Sequence, residues 1–169
     1  MANFRFSAFA DEYSTNFDEQ IRGLLLNTIG MIEIRGVDGT NIADITEKKA
    51  REIKAKLDAV GIAVSAIGSP IGKIGINDDF KAHKEKLRHV CKLANILGTS
   101  RIRIFSFYMP ENEDADNYKE TVIAKMGEMI DIAEEYGVLL CHENEKGIFG
   151  DTAERCLELI SHFDGRLGC

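Results

Sequence analysis

Cysteine pairs, long apolar runs, excess positive charge and glycine-rich nucleotide turns are all missing from this 169-residue sequence, and each absence removes a class of function. The four cysteines, Cys91, Cys141, Cys156 and Cys169, lie far apart with no CxxC spacing, so they read as reduced thiols of a cytoplasmic protein. No apolar run approaches the ~20 residues needed to cross a bilayer. Nothing ahead of the first strand reads as a secretory leader, so no membrane partner is expected. Lys plus Arg total 21 against 28 Asp plus Glu, and a net charge of −7 opposes the counterion release that drives general nucleic-acid binding. The segment Phe9-Ala10-Asp11-Glu12 after the first strand has no glycine, which argues against a dinucleotide or phosphate loop. No stretch rich in Pro, Gly or Ser divides the chain, so residues 1–169 read as one domain.

What is present is a repeated unit. Apolar strands are expected at 4–10, 31–36, 62–68, 101–107 and 138–143, each with polar residues at its carboxyl end and an amphipathic helix after it. The helices should span about 16–27, 46–61, 78–97, 118–136 and from 151 onward, with Gly61, Gly98 and Gly137 as stops. This is the pattern of an α/β protein with a parallel sheet. An open, doubly wound sheet has strands covered by helices on both faces, where Glu33, Arg35, Arg103 and Glu143 would be costly unless paired. In a barrel the same residues can point inward near the carboxyl ends, where oppositely charged partners come within reach. The expected fold class is therefore α/β of the parallel (β/α) TIM-barrel type.

Four segments at consecutive strand ends carry a family likeness: Phe6-Ser7-Ala8-Phe9-Ala10-Asp11-Glu12, Gly68-Ser69-Pro70-Ile71-Gly72-Lys73, Arg103-Ile104-Phe105-Ser106-Phe107-Tyr108 and His142-Glu143-Asn144-Glu145-Lys146-Gly147. In their order and spacing the chain resembles the sugar phosphate isomerase/epimerase group of xylose isomerase-like TIM barrels. The resemblance implies an eight-unit barrel that holds one divalent ion through four side chains at the ends of later strands, two of them glutamates that also move protons. Glu143 matches the first of those ligands. The later ones, on strands six to eight, have no counterpart, and Leu167-Gly168-Cys169 matches the start of strand six, so the likeness covers the first five-eighths of such a barrel.

Moving a carbonyl along a sugar, or inverting the carbon beside it, requires removal of a proton next to a carbonyl and stabilisation of an enediolate. In this reading Glu143 is both metal ligand and catalytic base, with Mn²⁺ or Mg²⁺ ahead of Zn²⁺ where oxygen ligands predominate. The plainer alternative is a loop carboxylate paired with Arg103 or Arg35. Glu33, Arg35, Ser69, Lys73 and Arg103 are the candidate substrate-binding residues, of which Glu33 and Arg35 can equally form a structural ion pair and Lys73 can simply be solvated. Glu145 is expected to face solvent or cap its loop. His142 should point away from Glu143 and pack.

The expected substrate is a keto sugar, a sugar phosphate or a related polyol derivative. Two rivals stand beside it. An abasic-site endonuclease of the same barrel type would need several metal-binding histidines and a basic DNA face, which the sequence does not offer. A non-catalytic fragment that self-associates through uncovered barrel edges concerns the state of the chain, and a chain without the later ligands is expected to be inactive or impaired alone.

Overall fold

Alternation along the strands organises the computed structural model, which describes residues 4–169. The first three residues, read as preceding the first strand with no leader, lie outside the described residues. Six strands run parallel in the order β1 (Ser7–Ala8), β2 (Met31–Ile34), β5 (Ala63–Gly68), β6 (Arg101–Ile104), β7 (Leu139–His142) and β8 (Leu167–Gly168). A separate antiparallel hairpin, β3 (Gly36–Val37) and β4 (Thr40–Asn41), follows β2.

Ile32, Ile34, Ile102, Ile104 and Leu140 are buried on the convex side of the sheet, in the core shared with the helices. Their neighbours Met31, Glu33, Arg101, Arg103 and Cys141 line the concave side, as the two-residue period of a strand requires. One irregularity interrupts the period. Ile32 pairs with Val64 but Glu33 pairs with Ala66, so Ser65 is an extra residue in β5. Its hydroxyl donates to the Ile32 carbonyl at 3.0 Å and lies 2.7 Å from the Ser7 hydroxyl, which gives this polar side chain partners inside the sheet's curve.

The helices are α1 (Phe17–Leu26), α2 (Glu47–Ala59), α3 (Phe80–Leu97), α4 (Lys119–Glu135) and α5 (Ala153–Phe163). Asn16, Thr46, Asp79 and Thr152 cap four of them through side-chain oxygens that accept from backbone N–H groups two or three residues on, worth about 1 kcal/mol each. Among the described residues no helix is long and apolar enough to cross a membrane.

Two expected strands are shorter in the structure. Residues 4–6 precede the first β2 residue available for pairing, Met31 opposite Ser7, and so have no ladder partner. Residues 105–108 leave the sheet to bond a loop instead: Phe105, Phe107 and Tyr108 donate their N–H groups to Ile71, Gly72 and Ile74. Phe107 takes a left-handed conformation (φ 67°) to make this turn. The sheet does not close: among the described residues β1 pairs only with β2, and β8 only with β7.

Candidate active site

Glu143 is the first residue beyond β7, and its N–H still donates to the Ile104 carbonyl at 3.0 Å, so the ladder geometry carries it onto the concave side with Cys141. It borders a cavity of about 1090 Å³ that also takes in Glu33, Arg103 and Asn144. Its Oε2 accepts from Arg103 Nη1 at 3.1 Å. Arg103 spends a second donor on the Ser69 carbonyl at 3.2 Å and lies over the rings of Phe9 and Phe105, 5.6 and 4.8 Å from their centroids. Its buried Nε has no partner. Burial holds the Glu33 carboxyl above its ordinary pKa; the positive charge of Arg103 offsets part of that, Glu143 adds to it, and Arg35 opposes it.

A second ion pair flanks the same ring. Lys73 Nζ lies 2.5 Å from Glu145 Oε2 and 4.3 Å from the Phe105 centroid, while the Tyr108 hydroxyl donates to Glu145 Oε1 at 3.1 Å. Glu145 is thus held between two partners rather than free in solvent, and its hydrogen bond with Lys73 lowers its pKa. Three of the loops at the carboxyl end are stitched into one layer, because the backbone of residues 105–109 bonds residues 71–76 on one side and Gly147 and Phe149 on the other.

Ser69 is fully buried, its hydroxyl donating to the Arg103 carbonyl at 2.6 Å and accepting from the Ile71 N–H at 3.2 Å, so it shapes the loop. Arg35 does not meet Glu143. It donates from Nε to Asp11 at 2.8 Å and from Nη2 to Glu12 at 2.6 Å, which raises its pKa further, and it lies 4.9 Å over the Phe9 ring. The acidic pair at the end of the first strand was visible in the sequence, but not its partner 24 residues on.

His142 points to the convex side as expected, 2% exposed, with Nε2 3.0 Å from the Ser106 hydroxyl; burial pushes its pKa down to about 4. His83 is also buried, and its Nε2 accepts from the Gly72 N–H at 2.8 Å, tying α3 to the loop that carries Lys73.

No group of three or more His, Cys, Asp or Glu side chains is gathered to hold a metal ion among the described residues. Glu143 offers one donor, already facing an arginine, where a divalent ion takes four or more. The residues present therefore do not by themselves fit a resident cation.

The comparisons with known proteins agree with this architecture. A family model described as a xylose isomerase-like TIM barrel matches residues 28–168. Among solved structures, the chain is similar to the probable 3-DHS dehydratase AsbF involved in petrobactin synthesis from Bacillus anthracis, with 17% identity and a TM-score of 0.79 over 97% of this chain and 61% of that one. It is also similar to the 3-keto-D-glucoside 4-epimerase YcjR from E. coli, with 14% identity and a TM-score of 0.67 over 88% and 60%. A xylose isomerase-like TIM barrel protein from Mycobacterium smegmatis in complex with magnesium gives 16%, 0.67, 93% and 54% respectively. At these identities the structural likeness speaks for the fold alone, and the chain spans only 54% to 61% of the three chains it matches. No curated protein matches the sequence. With residues 28–168 matched by one family model, the chain belongs to the xylose isomerase-like TIM barrel family.

Proposed function

We propose that this chain builds part of the active site of a cytoplasmic isomerase or epimerase acting on a keto sugar, a sugar phosphate or a polyol-derived ketone. The observation that carries the reading is the placement of Glu143 at the carboxyl end of β7, on the concave side and against Arg103. A carboxylate there can take the proton from the carbon next to a substrate carbonyl and return it to the neighbouring carbon; with the hydroxyl proton passing to the former carbonyl oxygen, the aldose–ketose exchange balances with no net change in atoms. Arg103 fixes the direction of that carboxylate and places positive charge where the enediolate oxygen becomes negative. Glu33, which borders the same cavity, is suited to bind a substrate hydroxyl. Lys73, 32% exposed in its pair with Glu145, is the cation that can turn to a phosphate or hydroxyl at little cost.

The proposal includes a divalent ion, Mn²⁺ or Mg²⁺ ahead of Zn²⁺, for which Glu143 is one donor among several. The remaining donors are not found among the described residues, so the steps assigned to this chain do not run through the ion. A polypeptide of these 169 residues alone is accordingly proposed to be inactive or impaired. It is also proposed to self-associate, because among the described residues β1 and β8 each pair on one side only, and Phe4 and Phe6 before β1 and Leu157 on α5 are 84%, 78% and 66% exposed.

The test is to join residues 1–169 to the later strands of the magnesium-bound relative and follow deuterium uptake from solvent at the carbon beside the carbonyl of a panel of ketoses. Uptake that disappears in Glu143→Gln supports the reading. Uptake that persists in that variant contradicts the role given to Glu143.

A further inference from the structure

Residues 4–8 form an edge of the sheet that the fold leaves open. Ser7 and Ala8 pair with Met31 and Ile32 on one side, and among the described residues no strand pairs with them on the other. Residues 4–6 run ahead of that ladder with no strand partner on either side. Arg5 and Ser7 border the large cavity on the concave side, so the two-residue period turns Phe4, Phe6 and Ala8 to the opposite face. Both phenylalanines are there largely exposed. Edge strands are ordinarily guarded by proline, by bulges or by several charges. This segment has no proline, and Arg5 is its one charge. The other edge, β8, is different: Leu167 is already buried, and Gly168 has no side chain to offer.

The side chains of residues 4–8 are complementary to a second copy of themselves. When two such segments lie antiparallel about a twofold axis at Phe6, Phe6 meets Phe6, Phe4 meets Ala8, and Arg5 meets Ser7. The Phe6 rings then form a cross-strand aromatic pair, and each arginine faces a hydroxyl that can accept a hydrogen bond from it. Other registers are worse. An axis at Arg5 sets two guanidinium groups directly opposite each other, which is destabilising. An axis at Ser7 sets Phe4 against Ala10, where the chain has already turned into the short 3-10 helix Ala10–Glu12.

We infer that two copies of this chain associate edge to edge through residues 4–8, antiparallel about a twofold axis at Phe6. The inference rests on the self-association given under Proposed function and assigns it a surface, a symmetry and a register.

Disulfide trapping tests the register. The 169-residue chain carries Cys169→Ser, which removes its exposed native thiol, and each variant is checked by its circular-dichroism melt. Directly opposite Cα atoms of an antiparallel pair lie about 4.5–5.5 Å apart, within the reach of a disulfide at about 4.4–6.8 Å. Phe6→Cys, oxidised with copper phenanthroline, should give a covalent dimer joined at position 6 of both copies. A mixture of Phe4→Cys and Ala8→Cys chains, which keep Phe6, should give the mixed 4-to-8 dimer. Peptide mapping should find both links several-fold more abundant than the 157-to-157 link of Leu157→Cys, placed on the exposed part of α5. A chain that is dimeric in sedimentation but forms neither link above the Leu157→Cys level overturns this surface and leaves self-association standing. A wild-type chain that stays monomeric overturns both.

Discussion

Arg103 and Glu143, 40 residues apart in sequence, meet across the β6–β7 ladder with Nη1 3.1 Å from Oε2. The arginine side chain is 13% exposed and the glutamate 43%, so the pair lies at the boundary between core and cavity. Replacing Arg103 by methionine removes the partner of Glu143 and the donor to the Ser69 carbonyl together. The expected cost is about 1–3 kcal/mol in urea unfolding. Arg103→Lys should recover only part of it, since an ammonium cannot repeat the forked contact. An unchanged midpoint in the methionine variant would show that the pair is not holding the mouth together.

Gly72 marks where the loop after β5 runs against β6. Its φ is 89°, and a Cβ would lie 1.9 Å from the Phe105 carbonyl oxygen, which is backbone and cannot rotate away. Gly72→Ala is expected to cost more than about 4 kcal/mol, or to prevent folding. Gly39→Ala has a similar φ of 77° with nothing within 4 Å, and should cost only about 1–2 kcal/mol. Comparable circular-dichroism melts for the two variants would contradict this contrast.

His83 gives the fold a pH dependence. Burial, with Lys86 and Lys125 nearby, holds its pKa at about 4 in the folded chain, against about 6.5 unfolded. The unfolded chain therefore binds more protons between these values, and stability falls as pH drops from about 6.5 toward 4, by about 3 kcal/mol in all. His142, held near the same value by burial, acts in the same direction. Urea midpoints should decline from pH 7.5 to pH 5, and His83→Gln should flatten the slope. A slope unchanged by that substitution would assign the effect elsewhere.

The exposed apolar residues before β1 and on α5 predict association. Sedimentation velocity of the purified chain should show species larger than a monomer, and Phe6→Lys with Leu157→Lys should shift the distribution toward monomer. A wild-type chain that stays monomeric at tens of micromolar would contradict it.

The parallel sheet was legible because strand alternation and helix periodicity are local, and Thr46 and Gly98 bound their helices as their chemistry suggests. The start of a sixth strand at Leu167 was read from family likeness, and the pairing of β8 with β7 agrees. The sequence did not show which charges pair. Arg35 could have met Glu33 or Glu143, and only the turn after β1 brings Asp11 and Glu12 to it instead. The burial of Ser69 was hidden for the same reason, since its partners Arg103 and Ile71 depend on two loops folding against each other. Phe105 and Phe107 looked like a continuation of their strand, yet the carbonyls of Ile71 and Gly72 draw their backbone away from the sheet.

The most direct measurement is solvent-deuterium uptake into a panel of ketoses by the monomeric 169-residue chain in the presence of Mn²⁺. The account predicts no uptake above background, because Glu143 alone cannot hold the ion or complete the site. Robust uptake by the monomer, abolished by Glu143→Gln, would show that these residues form a sufficient active site and contradict the claim that Glu143 is one donor of several.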